Sequence, residues 1–369
     1  MKYIDNFSEI GIPPTNASLD YTIKMFFVGG AGEFGTGLYQ VALDLRKLRM
    51  TVVAFTVTET VPSYLVVQGD KLFMTYHSET KSAGEDDYSE VEVFQINPHL
   101  TSLAQVKLPA KSYVHIAVSN DGRFIAAADY QAGTMDLLEF ADGNLKLLDS
   151  IRHQGKGPNP IRQASPHLHY AGFTPDSAYL FGADLGTDLI RFYGFGANGL
   201  TELPLHNLAV TPGAGPRHLV FSHDGRFAYL VNELNNTVSV LGYYDGHFEL
   251  IQNITILPKN LSDDAKAKAF AGAIRLSASG NYLFVSNRVA ENSVAFYRVN
   301  KVTGLLDLKG ITETGRHPRD FNIIEDEYVV VAAMDDNELE LLLFNEREAT
   351  LERTESTLPI DKPVCIAVA

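Results

Sequence analysis

The amino-acid sequence predicts an all-β protein, a single seven-bladed β-propeller with four-stranded antiparallel blades. The first observation is a unit of about fifty residues that recurs along the chain. Each copy has a short apolar strand, a turn with Gly or Asp, a second apolar strand and a third run of alternating apolar residues. The second observation is that the two ends of the chain carry complementary parts of this unit. Together they predict a closed ring of blades.

Six copies of the unit lie inside the chain. The clearest are residues 113–138 and 216–241, which share the pattern strand, Ser-Asn-Asp-Gly or Ser-His-Asp-Gly turn, and strand. The other four copies begin near Pro62, His167, Gly272 and Pro318. The repeated Asp-Gly pairs and the aromatic residue that follows are typical of hairpin turns and core positions, so we assign them no chemistry.

The seventh copy is split between the chain ends. Residues from Lys362 onward match only the first strand of the unit, whereas residues 24–44 match only the later strands. A ring that shares one blade between both ends has no free sheet edge inside it. We therefore expect Pro363–Val368 to form the innermost strand of the blade that begins at Lys24. Residues 1–20 are expected to be an N-terminal extension, and residues 21–369 a single propeller domain.

Other all-β folds fit less well. A β-sandwich has no reason for the regular spacing or for the complementary ends. The WD40 and kelch propellers have signatures that this unit lacks, and the chain contains no Trp. One helix is expected as an insertion between blades, over Asp263–Phe270, with Ser262 as its N-cap and acidic residues in its first turn.

Composition narrows the possible partners and compartment. The chain has 45 acidic and 30 basic side chains, a formal net charge of −15, and no basic run that would neutralise a nucleic-acid backbone. No apolar segment reaches membrane-spanning length, and the first twenty residues lack the pattern of a signal peptide. A single cysteine, Cys365, excludes internal disulfides and fits a reducing compartment. We expect a cytoplasmic protein, monomeric or weakly homo-oligomeric, that binds neither nucleic acid nor membranes.

Alignment of the copies separates positions that the fold requires from positions that it leaves open. At the start of the first strand, the equivalent residues share no property: Ser63, Val114, His169, Arg217, Gly272, Arg319 and Val364. The same holds at the end of the second strand, for Ala31, Ser78, Tyr130, Leu185, Glu233, Arg288 and Met334. Antiparallel neighbours bring these two positions together at one face of the ring, near the central channel.

Chemically active side chains are concentrated at this face. They are His169, Arg217, Glu233, Arg288 and Arg319, with His115, His218 and Asp320 one residue further along their strands. One acid among several cations and histidines suits an anionic substrate whose carbonyl group is to be polarised.

Structural roles compete with these assignments. Glu233 and Arg288 occupy equivalent places on consecutive blades and could form an inter-blade salt bridge. His167 and His169 are two residues apart on a strand, a spacing that also suits a metal, although no third ligand is evident. Cys365 is expected to be a small core residue, and the absence of a GxSxG motif argues against a serine mechanism.

A series of motifs in order along the chain resembles the seven-bladed lactonase family, which includes propeller-type 6-phosphogluconolactonases and fungal carboxy-muconate cyclase. The motifs are HQGKGPNPIRQASPHLH from His153, ADLGTD from Ala183, GPRH from Gly215, VNE from Val231, SNR from Ser286 and HPRDF from His317. In the cyclase branch the proposed active site is a His, two Arg and a Glu, which match His169, Arg217, Arg288 and Glu233. The chain departs from the family at Ala273, where Glu is usual, and in the first-blade motif, which reads Gly-Gly-Ala-Gly.

The resemblance implies a carboxylic ester hydrolase that acts on a sugar lactone, most specifically 6-phosphogluconolactone in the pentose phosphate pathway, without a cofactor or metal. His169 is expected to act as acid and base with Glu233 as its partner, while Arg217 and Arg288 bind the oxyanion or a phosphate. Further substrate contacts are expected from His115, His167, His218, Arg319 and Asp320. The alternatives are a carboxy-muconate-type lactonising cyclase and a non-catalytic propeller that serves as a binding platform.

Overall fold

The fold is a ring of seven antiparallel sheets, as the sequence predicts. The structure, a computed structural model, describes residues 3–5, 22–78, 88–97, 99–109 and 111–369. Blades are numbered from the N-terminus, and each runs from an innermost strand at the channel to an outer strand. Blades 1 and 4 each carry one additional strand.

Strands β1 to β17 belong to the first four blades. Blade 1 contains β1 (Tyr3–Asp5), β2 (Ile23–Ala31), β3 (Gly37–Asp44) and β4 (Arg49–Val57). Blade 2 contains β5 (Pro62–Gln68), β6 (Lys71–Ser78), β7 (Tyr88–Asn97) and β8 (His99–Pro109). Blade 3 contains β9 (Tyr113–Val118), β10 (Phe124–Asp129), β11 (Thr134–Ala141) and β12 (Asn144–Arg152). Blade 4 contains β13 (Leu168–Phe173), β14 (Leu180–Asp184), β15 (Leu189–Gly196), β16 (Gly199–Glu202) and β17 (Leu208–Ala209).

The remaining blades have the same plan. Blade 5 contains β18 (Pro216–Phe221), β19 (Phe227–Asn232), β20 (Thr237–Tyr244) and β21 (His247–Thr255). Blade 6 contains β22 (Ala269–Leu276), β23 (Tyr282–Val289), β24 (Ser293–Val299) and β25 (Leu306–Glu313). Blade 7 contains β26 (Pro318–Ile324), β27 (Tyr328–Ala333), β28 (Glu338–Asn345) and β29 (Thr350–Pro359). The last strand, β30 (Asp361–Val368), returns to blade 1.

The ring closes through the two chain ends. Strand β30 pairs with β2 in antiparallel register, with Ala367 opposite Phe27. It also contacts the innermost strands of blades 7 and 2, so every innermost strand has a neighbour on each side. The predicted closing strand is therefore confirmed, and it starts at Asp361 rather than Pro363.

The hydrophobic core is divided among the blade interfaces. The described residues form seven apolar clusters, and each cluster combines side chains from two adjacent blades. In the absence of Trp, the largest fully buried side chains are Tyr and Phe, including Tyr297 between blades 5 and 6 and Phe181 between blades 4 and 5. Burial of one such side chain contributes about 1.5–3 kcal/mol, so each interface is a substantial part of the stability of the ring.

A β-bulge marks the start of the innermost strand in each blade. In blade 4, Leu168 pairs with Asp184 and Tyr170 pairs with Ala183, so His169 has no partner in the ladder. Arg217 in blade 5 and Arg319 in blade 7 are extra residues of the same kind. The register also shifts at this place in the other four blades. A bulge changes the direction of a side chain without ending the strand, so it turns these residues away from the sheet pairing.

The insertion between blades 5 and 6 contains the predicted helix. Helix α1 (Asp263–Lys268) begins after Ser262, whose hydroxyl accepts a hydrogen bond from the Ala265 N–H, as expected for an N-cap. The helix ends two residues before the predicted Phe270, because Ala269 already belongs to β22. None of the helices in the described part of the chain has the length and apolar composition needed to cross a membrane.

The predicted N-terminal extension lies outside the described residues except for Tyr3–Asp5. This segment pairs with β4 and adds an outer strand to blade 1. The Asp121-Gly122 and Asp224-Gly225 pairs stand between the first and second strands of blades 3 and 5, so their assignment to hairpin turns is confirmed.

Candidate functional site

A pocket of about 370 Å³ opens on the face of the ring where the bulges lie. This volume is within the range of about 300–1,000 Å³ that small-molecule sites occupy. His169, Glu233, Arg288 and Arg319 line it, as the sequence predicts. The lining also includes Arg162, Tyr130 and His317, together with the apolar side chains of Val114, Phe270 and Val289.

Glu233 is held by three arginines. Its Oε1 accepts a hydrogen bond from Arg162 Nη2 at 2.6 Å. Its Oε2 accepts from Arg217 Nε at 3.0 Å and from Arg288 Nη2 at 2.9 Å. We call these four residues the Glu233 cluster. The inter-blade ion pair with Arg288, which the sequence left open as an alternative to a catalytic role, is therefore present as one part of a larger network.

The backbone of Glu233 is fixed as firmly as its side chain. Its N–H donates to Gly215 O at 2.7 Å, and its carbonyl accepts from the Ala271 N–H of the next blade at 3.2 Å. Burial alone would raise the pKa of Glu233, but Arg288 and Arg217, with Arg162, hold it well below its usual range. Glu233 is a permanent anion at neutral pH and a poor proton acceptor.

Arg217 and Arg288 are buried and immobilised. Arg217 Nη1 donates to Gly272 O at 2.8 Å, and Arg288 Nη2 donates to Ala271 O at 2.9 Å. Burial, followed by the charge of Arg288, lowers the pKa of Arg217 to about 9. The Arg217 guanidinium therefore keeps its positive charge at pH 7.

His169 is a neutral imidazole beside the cluster. Its Nε2 lies 3.9 Å from Glu233 Oε2, which is too far for a hydrogen bond. Burial, followed by the charge of Arg217, lowers the pKa of His169 well below its usual range. Its Nδ1 is buried and has no hydrogen-bond partner among the described residues. The expected partnership with Glu233 is thus one of proximity rather than of direct bonding.

Arg319 brings a guanidinium group to the pocket that has no hydrogen-bond partner among the described residues. Its side chain donates no hydrogen bond to any residue that the structure describes, although it lines the pocket next to Arg288 and Glu233. Burial and the charge of Arg288 lower the pKa of Arg319. A guanidinium that is partly buried and unpaired is suited to receive an anion.

His115, His218 and Asp320 do not line the pocket; they lie one residue further along the innermost strands. The ring of His218 is 5.1 Å from that of His115 and 5.2 Å from that of His169. Tyr64 and Tyr170 pack against His115 at 4.1 and 4.3 Å. Burial is the main cause that lowers the pKa of both His115 and His218, so this layer of rings is uncharged.

His167 lies at the edge of the site. Its ring stacks on Tyr130 at 4.6 Å, and its Nδ1 is 3.0 Å from Tyr130 O. The bulge at His169 breaks the alternation that would place His167 and His169 on one side of a strand. Among the described residues no group of three or more His, Cys, Asp or Glu is arranged to hold a metal ion.

Cys365 lies in β30 with its Sγ 3.3 Å from Pro62 O. Burial raises the pKa of this thiol, which agrees with a core position.

Sequence reasoning missed Arg162, which is outside the repeat. It belongs to the segment between β12 and β13, which is fixed by buried side chains: His153 lies between Asp184 and Tyr193, and Gln163 Nε2 donates to Leu185 O at 2.8 Å. Blade alignment compares only equivalent positions, so it has no means to find a residue on an inserted loop. The motif that contains Arg162 was the available signal.

Comparison with known proteins agrees with this architecture. A family model described as "Lactonase, 7-bladed beta-propeller" matches residues 25–368. The 6-phosphogluconolactonase of Bacillus subtilis (strain 168) is 30% identical over 351 residues, which cover 92% of this chain and 97% of that protein. An uncharacterized protein of Lactococcus lactis subsp. cremoris is 30% identical over 350 residues, with coverage of 93% and 98%.

Solved structures show the same likeness. The periplasmic gluconolactonase of Pseudomonas aeruginosa has a TM-score of 0.85 and 26% identity, covering 94% of this chain and 99% of its own. A protein from Lactobacillus plantarum has a TM-score of 0.82 and 29% identity, with coverage of 94% and 99%. The chain belongs to the seven-bladed β-propeller lactonase family.

Proposed function

We propose that this protein hydrolyses a sugar lactone that carries an anionic group, with 6-phosphogluconolactone as the substrate and 6-phosphogluconate as the product. The observation that carries the proposal is the charge of the pocket. Four arginines, Arg162, Arg217, Arg288 and Arg319, surround or line it, and Glu233 is the one carboxylate among its described lining residues. This excess of positive charge favours an anionic substrate.

His169 is the proposed general base. A water molecule beside the 3.9 Å gap between His169 Nε2 and Glu233 Oε2 can make hydrogen bonds of about 2.8 Å to both atoms. The neutral imidazole takes a proton from this water as it attacks the lactone carbonyl, and Glu233 stabilises the imidazolium that forms. The same proton is then delivered to the departing ring oxygen, which opens the lactone.

The arginines are proposed to bind the oxyanion and the phosphate. Arg288 lines the pocket with a fixed guanidinium, so it is the proposed donor to the tetrahedral oxyanion. Arg319, which has no partner among the described residues, is the proposed ligand of the substrate's phosphate. Glu233 holds Arg288 in place, and Arg217 in turn fixes Glu233. His115, His167, His218 and Asp320 are proposed to support this arrangement from the adjoining layer.

The names of two relatives support the reaction class. The Bacillus subtilis relative is a 6-phosphogluconolactonase, and the Pseudomonas aeruginosa structure is a gluconolactonase. Both names describe a sugar lactone as substrate, and they differ in the phosphate. The unpaired Arg319 and the excess positive charge favour the phosphorylated lactone for this chain.

The test is the ring opening of 6-phosphogluconolactone, followed by NMR and compared with the spontaneous rate. We expect catalysis by the wild-type protein and a fall of about 10²–10³-fold in kcat for Arg288→Ala, the loss typical of a removed oxyanion donor. Arg226→Ala, which changes an exposed arginine that pairs with Asp224 on a turn, is the control. A wild-type rate equal to the spontaneous rate overturns the proposal, and turnover of carboxy-muconate in its place would select the cyclase reaction.

A further inference from the structure

The three arginines of the Glu233 cluster differ in what holds them. Arg217 and Arg288 each donate to a backbone carbonyl as well as to Glu233. The Arg162 guanidinium donates to Glu233 Oε1 at 2.6 Å and makes a longer contact of 3.4 Å with the Tyr130 hydroxyl. No backbone carbonyl among the described residues accepts a hydrogen bond from the Arg162 guanidinium. Glu233 is therefore the main group that keeps the Arg162 side chain in place.

Arg162 is also the most exposed member of the cluster. Its side chain is 31% exposed, whereas those of Arg217 and Arg288 are 4% and 8% exposed. Its guanidinium lies in the pocket lining, 5.3 Å from the centre of the Phe270 ring. In this position it covers Glu233 Oε1 from the pocket side.

The backbone beneath Arg162 is fixed, in contrast to its side chain. Asn159 Oδ1 accepts hydrogen bonds from the N–H groups of Ile161 and Arg162, at 3.1 and 3.0 Å. The neighbouring Gln163 is buried and bonded to Leu185 O. A change of partner by Arg162 therefore requires only a side-chain rotation and leaves the loop unchanged.

We propose that the Arg162 side chain is a cap, which covers Glu233 Oε1 in the free protein and rotates away when it binds an anionic group of the ligand. The ligand's oxyanion, which in the proposed substrate is the phosphate that Arg319 also binds, accepts hydrogen bonds from the Arg162 guanidinium in place of Glu233 Oε1. A guanidinium binds an oxyanion through two parallel hydrogen bonds, and Glu233 gives it only one. The exchange leaves Glu233 Oε1 facing the bound lactone. Its role in turnover rests on the proposed function, whereas the binding of an oxyanion by Arg162 does not.

The experiment supplies the substrate in two pieces, gluconolactone without phosphate and phosphite dianion. With the wild-type protein, we expect phosphite to raise kcat/KM for gluconolactone by about tenfold, the effect of one charge-assisted hydrogen bond. We expect a much smaller increase for Arg162→Ala, in which Arg319 alone is left to bind the dianion. We expect an intermediate increase for Arg162→Lys, which keeps the charge but loses the two parallel N–H donors. The matched control is Arg191→Ala, because Arg191 donates to Gln154 O of the same loop at 2.6 Å and does not line the pocket.

An equal increase in the wild-type protein and in Arg162→Ala overturns the proposal, as does a wild-type protein that hydrolyses gluconolactone without any response to phosphite. Calorimetric titration with inorganic phosphate separates this result from a failure of the proposed function. If the wild-type protein hydrolyses neither lactone, the proposed function fails. Phosphate binding that is about tenfold weaker in Arg162→Ala than in the wild type still supports the cap. Equal binding, or no binding by the wild type, overturns it. Thermal melting confirms that each variant is folded, and Arg162→Lys replaces Arg162→Ala if the latter is not.

Discussion

Arg275 of blade 6 donates a hydrogen bond through Nη2 to Asp320 Oδ1 of blade 7 at 2.7 Å. The second oxygen of Asp320 accepts from the Ile366 N–H of β30 at 2.9 Å. One carboxylate thus connects the innermost strands of three consecutive blades, including the strand that closes the ring.

We therefore expect Asp320→Asn to destabilise the fold by about 3 kcal/mol, because it leaves the buried Arg275 without a counter-charge. The figure is at the lower end of the usual range, since the Arg275 side chain is 20% exposed. Urea denaturation measures the loss. The double variant Arg275→Met/Asp320→Asn should recover part of it, and a loss as large in the double variant as in the single one would contradict the ion-pair explanation.

Glu233 should make the stability of the protein depend on pH in a defined window. Its pKa in the folded state lies below the ordinary value of 4.5. Its contribution is therefore fully present above pH 4.5 and is lost as the pH falls through the folded-state pKa. At pH 7, Glu233→Gln should cost about 3–5 kcal/mol, since it leaves buried guanidinium groups unpaired. The difference in the free energy of unfolding between wild type and variant, measured by urea denaturation, should become smaller as the pH falls below 4.5. A difference that does not change with pH would argue against stabilisation by the ionised form of Glu233.

His169 should preserve the proposed lactonase activity in mildly acidic solution. Because burial lowers the pKa of His169 well below 6.5, its neutral and basic form persists below the pH at which an ordinary histidine becomes charged. We expect kcat/KM to be flat from pH 8 to below pH 6.5 and to fall only in more acidic solution. His169→Gln should lower kcat by about 10²–10⁴-fold. The exposed His247 provides the control variant His247→Gln, and a profile that falls near pH 6.5 would exclude His169 as the base.

Gly186 should be necessary for the loop that carries Arg162. A Cβ atom at this position would lie 2.0 Å from Ser165 O and 2.6 Å from the His167 nitrogen. Gly186→Ala should therefore destabilise the protein by about 1–3 kcal/mol and lower kcat/KM, because the backbone of the loop must shift. Gly196→Ala is the matched control, since a Cβ atom there meets nothing within 4 Å. Thermal melting and the lactone assay measure both effects, and equal behaviour of the two variants would refute the prediction.

The sequence predicts the ring, its closure and much of the site because each depends on the repeat. The strand from Asp361 closes blade 1 since only that strand is missing from the first copy of the unit. His169, Arg217 and Arg319 stand out because equivalent places in other blades hold Ser63 or Val114. Such comparison finds positions that the fold leaves open.

Comparison of the repeat copies does not show which of two neighbouring residues faces the pocket. Asp320 is one residue beyond the bulge residue Arg319, and that single step takes it from the pocket to the adjoining layer. Arg217, the bulge residue before His218, bonds Glu233 without lining the pocket. The register of a bulge depends on backbone pairing, which the residue pattern does not report. Arg162 is absent from the repeat and reaches Glu233 only through the folded path of a long loop.

The bulges also make the side chains at the pocket independent of the hydrogen bonds that assemble each blade. His169, Arg217 and Arg319 are extra residues without a ladder partner, so the hydrogen bonds between β13 and β14, or β26 and β27, do not depend on which side chain is present. In blade 3 the same position holds Val114, an apolar residue of the pocket lining. A new donor or acceptor can therefore be installed at position 114 to change the substrate of the pocket while the blades keep their pairing.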